Sequence, residues 1–223
     1  MSSDRSSGPP AKPRLRGVSH QFAFFVFLAA NTVLLASVDV AGRPAVWVYA
    51  GSLGFLYAVS STYHRRDWTE LGRKRMRSLD HSGIFVLIAG SYSPLFMTLA
   101  DTGTRNEAMW LMWGLAAVGV TKSLLWAHGP KWITAALAIG MGWSAVVYAL
   151  ELAPIMGSPS IELLLASGVV YTLGGIIYAL KRPDPFPTVF GYHEVFHACV
   201  IAGSLTHYAH TLLVLRAGGH LPI

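Results

Sequence analysis

The chain has 223 residues and a net charge of +6; 53% of its residues are hydrophobic and only 13% are charged, and its mean hydropathy is +0.46. A soluble domain carries about 25% charged residues, so this composition excludes an ordinary soluble enzyme and puts most of the chain in lipid as one compact bundle. The single Cys199 excludes a disulfide framework and any Cys-rich metal site, and because the basic residues flank apolar runs, their partner is anionic lipid headgroups, not nucleic acid.

Residues 1–17, MSSDRSSGPPAKPRLRG, are polar, basic and rich in Ser, Pro and Gly, and are expected to form a disordered cytoplasmic tail. Residues 18–223 then form the membrane domain. The first apolar stretch, from about 20 to about 38, is long enough to span. It lacks the short core and small-residue cleavage site of a signal peptide, so it reads as a retained first helix. Spans follow the need for about 20 apolar residues each, and are placed at 19–39, 45–64, 79–100, 108–127, 131–151, 160–180 and 191–215. Pro44 suits the first turn of the second helix. The segments DTGTRNE, HGP, APIMGSPS and KRPDPFPTVFG carry the breakers between later spans, and Pro94 predicts a kink in the third. The fold is therefore all-α, a seven-transmembrane helix bundle.

Lys and Arg set its orientation. With the N-terminus inside, the inner side holds Arg5, Lys12, Arg14, Arg16, Arg65, Arg66, Arg73, Lys74, Arg75, Arg77, Lys122, Lys131, Lys181 and Arg182, against Arg43, Arg105 and Arg216 outside, 14 and 3 of the 17 present. The odd number of spans puts the C-terminus outside. The segment HRRDWTELGRKRMR between spans two and three carries the strongest bias.

Ionisable groups inside spans are costly, roughly 2.5–3.5 kcal/mol for Asp at a span centre, so polar residues near span ends mark candidate sites. Ser60 and His64 close span two, Asp80 and His81 open span three, and His193, Glu194 and His197 open span seven, all at the inner end. Ser60 and His64 are four residues apart, as are His193 and His197, so each pair shares one helical face. Two imidazoles at that spacing can bind one metal ion, and His64 adds a third. Three His with an open fourth position is the catalytic zinc pattern. Without a metal, the same residues form a buried, hydrogen-bonded polar cluster. HEVFH also matches the HExxH protease signature, but no third ligand of that kind follows it and the helix is transmembrane.

Glu194 lies about 100° round its helix from His193. It either supports the site from behind or meets headgroup water and the basic 65–77 loop. His81 either orients Asp80 or a metal ligand or has no part in the site. His20, His128 and His220 read as interfacial. His207 and His210, with Tyr208, line a polar cavity or the outer exit, or else are packing residues with satisfied hydrogen bonds. Trp47, Trp110, Trp113, Trp126 and Trp132 fit an aromatic belt, and Gly83, Gly90, Ser91 and Ser93 a close helix-packing surface.

Three strings, SSTYH at 60–64, LDHSGIFVLIAGSYSP at 79–94 and HEVFHACVIAGSLTHY at 193–208, resemble the three motifs of the hemolysin III family, the bacterial branch of the progestin and adipoQ receptor family. The pattern is also similar to that of alkaline ceramidases. The resemblance runs from about 15 to 215. It implies a seven-helix bundle with the N-terminus inside, zinc held directly by His64, His193 and His197, Asp80 reaching the zinc through a water, and Ser60 beside it. The short tail points to the bacterial branch, hence to a multi-pass protein of the bacterial inner membrane.

Two functions are open. In the first, the chain is a zinc-dependent hydrolase of a lipid amide or ester: zinc acidifies water for attack on the carbonyl, Asp80 moves the proton and Ser60 binds the developing oxyanion. A site at membrane depth selects an acyl-chain lipid. In the second, the chain is a sensor or regulator of membrane homeostasis whose structural zinc ties span two to span seven. A buried, water-filled path from the site to lipid favours the first; a closed, dry site favours the second.

Overall fold

The computed structural model describes residues 12–222. They form eight helices in the order α1 (Val18–Ser37), α2 (Arg43–Arg65), α3 (Glu70–Leu99), α4 (Thr102–Leu125), α5 (Lys131–Glu151), α6 (Ala153–Met156), α7 (Ser158–Leu180) and α8 (Tyr192–Ala217). Among the described residues there is no β-strand, only an isolated bridge between Phe186 and Phe190. Seven of the helices have 20 residues or more; α6 is a single turn inside the expected APIMGSPS loop. Six helices, α1, α3, α4, α5, α7 and α8, are long and apolar enough to cross a membrane. The seventh long helix, α2, is diluted by Ser and Tyr residues on the face it buries: Tyr49, Ser52, Tyr57 and Ser60 recur there with Leu53, Leu56 and His64.

The helices pack mainly against their chain neighbours, α1 on α2, α2 on α3, α3 on α4 and α7 on α8. The central element is α3, with 67% of its most apolar stretch buried, against 22–44% for the other five spans. The small-residue surface expected on it meets α2. A Cβ at Gly90 would lie 2.3 Å from the Ser52 hydroxyl, and one at Gly83 would lie 3.3 Å from the Leu56 backbone, so hydrogen in place of a side chain lets the two helices approach.

α3 starts nine residues earlier than its expected boundary of 79. Hydropathy ends where lipid ends, but backbone hydrogen bonding need not. Arg, Lys, Met and Leu are good helix formers, Glu70 occupies the first turn, and Thr69 caps it by accepting from the Gly72 N–H. α4 likewise starts at Thr102, well before the expected 108, because the Asp101 carboxylate caps it through the Gly103 and Thr104 N–H groups. Pro94 lies buried inside α3.

Of the expected tail, residues 1–11 lie outside the described residues. Its last part is tied down: the Arg14 and Leu15 N–H groups donate to the Thr188 and Val189 carbonyls at 3.0 and 3.1 Å, and Arg16 pairs with Glu194. This segment therefore runs across the end of the bundle where α2 finishes and α8 begins.

Candidate metal centre

His64 lies in the last turn of α2, and His193 and His197 in the first two turns of α8. All three are buried, and one ring nitrogen from each lies within 4.8 Å of the others. The Nε2 atoms of His64 and His193 are 3.1 Å apart. Two nitrogens bound at about 2.0–2.1 Å to one tetrahedral ion lie roughly 3.3 Å apart, so this pair already has the spacing of two ligands. The Nδ1 atoms of His193 and His197 are buried with no hydrogen-bond partner among the described residues. Buried polar atoms are normally paired. Three imidazoles meeting through their nitrogens, with other ring nitrogens unmet, fit a cation better than a self-sufficient polar cluster.

Asp80, about a third of the way along α3 at the start of its apolar part, places Oδ2 3.7 Å from His64 Nε2. That is too long for a direct hydrogen bond. Asp80 is not a member of the three-His group. The buried Ser60, one turn before His64, has its hydroxyl 2.9 Å from His20 Nδ1 and also faces the Asp80 carboxyl.

His20 is the residue that sequence reasoning missed. Expected at the interface, it is buried, and its ring stacks on His197 with centroids 3.7 Å apart and planes 12° from parallel. The signal was present: His20, Ala23, Phe27, Asn31 and Leu34 form the buried stripe of α1, at helical spacing. Gly17 completes this corner. Its φ is +79°, and a Cβ there would lie 2.5 Å from the His64 Cβ, so only glycine lets the chain turn against His64.

Glu194 is 1% exposed. Its Oε1 pairs with the Arg16 guanidinium and its Oε2 accepts the Gly191 N–H at 2.8 Å, capping α8. The neighbour it finds is the segment before α1, not the basic 65–77 loop, and with both oxygens engaged it has no place for the water-activating Glu of an HExxH protease. His81 Nε2 meets the Tyr178 hydroxyl at 3.2 Å, and the Tyr178 ring lies 5.9 Å from that of His193. Tyr178 thus stands between His81 and His193.

Tyr178 and Phe196, whose rings lie 5.9 and 5.7 Å from His193, also begin an apolar cavity between α3, α5, α7 and α8. Its wall follows α7 from Tyr178 to Leu164. Fourteen residues of helix span about 21 Å, more than half of the roughly 30 Å hydrocarbon core. At the far end stands His207, whose Nε2 donates to the Ser91 carbonyl at 2.9 Å. His210 instead hydrogen-bonds Ser160, and Tyr208 donates to the Ala30 carbonyl; of these three only His207 lines the cavity. His220 meets Asp39 at 3.0 Å, at the end of the bundle remote from the centre.

The family model described as "Haemolysin-III related" matches residues 10–208. Hemolysin-3 of Bacillus cereus is 28% identical over 191 residues, covering 84% of each chain. The human monocyte to macrophage differentiation factor is 24% identical over 199 residues, covering 85% of this chain and 79% of its own. Heptahelical transmembrane protein 5 of Arabidopsis thaliana is 30% identical over 186 residues, 73% of this chain and 48% of its own. No solved structure matches the chain.

Proposed function

The chain belongs to the haemolysin-III-related family of integral membrane proteins, and from that premise we propose that it is a zinc-dependent hydrolase acting on the amide or ester bond of an acyl-chain lipid. The observation that carries the reading is an apolar cavity whose wall runs about 21 Å along α7 and whose Tyr178 and Phe196 lie beside His193 of the three-His group. A purely structural metal has no need of such a cavity.

His64, His193 and His197 would hold the ion, which would supply Lewis acidity for the carbonyl and for water. The chain's own groups do the rest. Tyr178 and Phe196 receive the acyl chain and exclude bulk water beside His193. Asp80 Oδ2, 3.7 Å from His64 Nε2, takes the proton of the attacking water and returns it to the leaving group. With His20 Nδ1–H donating to Ser60, the Ser60 hydroxyl is left to donate toward the developing oxyanion. The site needs α1, α2, α3 and α8 together, so hydrolysis depends on the whole bundle. By charge, 14 of 17 Lys and Arg residues on one side, the end carrying the histidines faces the cytoplasm and all seven long helices cross, with the C-terminus outside. A relative named heptahelical accords with that count.

A second reading keeps the zinc and drops the turnover. The backbones of α2 and α8 come close at few points, so an ion shared by His64 and His193 would tie two otherwise loosely joined helices, as a sensor of membrane state requires. Metal analysis of the purified chain, with mass spectrometry of lipids incubated with it, separates the two. Zinc with cleaved lipid supports the hydrolase, zinc without cleavage the sensor, and a metal-free protein overturns both.

A further inference from the structure

At about 1.5 Å per residue the 30 residues of α3 extend about 45 Å, whereas the hydrocarbon core is about 30 Å thick and the bilayer with its headgroups 40–45 Å. The apolar part from about 79 to 99 fills the core. The first turns, from Glu70 to Ser78, therefore stand in the headgroup layer. One face of those turns is occupied by Glu70, Arg73, Lys74 and Arg77, at spacings of three, four and seven residues. A concave pocket opens on that face, closed by Tyr63 of α2 and by His128 from the α4–α5 connection.

The pocket is short of negative charge. Three cations and one carboxylate line it, a formal +2 with His128 neutral, and among the described residues none of Arg73, Lys74 and Arg77 forms an ion pair. Generic attraction to anionic lipid needs only charge near the surface. Here two guanidiniums one helical turn apart converge on a hollow bounded by a phenol from a second element and an imidazole from a third. Guanidinium forks match phosphate oxygens bidentately, and Tyr63 and His128 offer further donors.

We infer that this pocket is a binding site for the phosphate of a lipid headgroup, held by Arg73, Lys74 and Arg77. The site is separate from the three histidines and does not depend on whether they turn over a lipid. The pocket stands at headgroup depth, just outside the apolar part of α3, where a lipid phosphate is held in place by its own acyl chains, an anchor that a free phosphate lacks.

The test measures binding to the full-length chain in detergent, with dioctanoyl phosphatidic acid, dioctanoyl phosphatidylcholine and inorganic phosphate as probes. The expected result is phosphatidic acid bound at least tenfold more tightly than either of the others, with the preference shrinking as salt rises. The Arg73→Gln, Arg77→Gln double variant lowers that affinity tenfold or more, and Arg105→Gln at the opposite end changes it less than twofold. If the double variant does not fold, Arg73→Gln alone, an exposed position, carries the test with a threefold loss expected. Undiminished phosphatidic acid binding in the variant overturns the site. Inorganic phosphate bound as tightly as the lipid overturns the lipid assignment.

Discussion

The ring of His20 lies flat against the ring of His197, centroids 3.7 Å apart, so the first helix of the bundle covers one face of a residue on the last. The same imidazole meets Ser60 through Nδ1 at 2.9 Å. His20 thus couples the orientation of an imidazole of the three-His group to that of a hydroxyl on α2, and it can do so only when α1 is docked.

Replacing His20 separates these two roles. His20→Phe keeps a flat ring on His197 and loses the bond to Ser60; metal content should stay near that of the parent while lipid hydrolysis falls. His20→Ala loses both, and metal affinity should fall about 10–100-fold, the usual cost of removing a group that orients a ligand. Metal retained after dialysis against a chelator reads the difference. Equal retention in parent and His20→Ala would show that the stack orients nothing.

His193→Ala removes one of the two nitrogens that lie 3.1 Å apart. It should release most of the zinc and make the melting temperature independent of added zinc, since a bound metal stabilises only the state that binds it. The parent should melt at lower temperature after chelation. Full zinc occupancy in His64→Ala, His193→Ala and His197→Ala alike would disprove the assignment.

Asp80→Asn preserves size and the ability to hydrogen-bond a water but takes no proton at neutral pH. The variant should keep its zinc and its fold and lose lipid hydrolysis by about 10²–10⁴-fold. A sensor with structural zinc would be left nearly intact. Loss of metal together with activity would instead make Asp80 a direct ligand, against its 3.7 Å separation from His64.

Arg16 and Glu194 form a pair in which the carboxylate is 1% and the guanidinium 18% exposed. Arg16→Ala strands a buried charge and should cost roughly 3 kcal/mol, the low end for breaking a buried pair because Arg16 is partly solvated. Adding Glu194→Gln removes that charge while leaving an oxygen to cap Gly191, so the double variant should be more stable than Arg16→Ala alone. Thermal unfolding in detergent measures both, and an unchanged melting temperature in Arg16→Ala would mean that the pair contributes nothing.

The topology has its own test. A reporter fused after Ile223 should read external, and one inserted near Arg75 cytoplasmic, from the 14-to-3 distribution of Lys and Arg. A cytoplasmic C-terminus would remove either the seventh crossing or the orientation.

Much of this protein was determined by local sequence. Long apolar runs require helices in lipid, because only internal hydrogen bonding satisfies a backbone there. The four-residue spacing of His193 and His197, and the position of His64 at a span end, put three imidazoles at one depth before any packing was known. Other features depend on contacts between segments far apart in the chain, where rotation and tilt are set by packing and local periodicity says nothing of the partner. Only the tertiary structure turned His20 onto His197, gave Glu194 to Arg16 178 residues away, left Asp80 short of hydrogen-bonding distance, and opened a cavity from Tyr178 to His207. The length of α3 shows the same division at one boundary: hydropathy marked where lipid stops at about residue 79, while helix propensity and the Thr69 cap carried the hydrogen bonds on to Glu70 and placed Arg73 and Arg77 at headgroup depth.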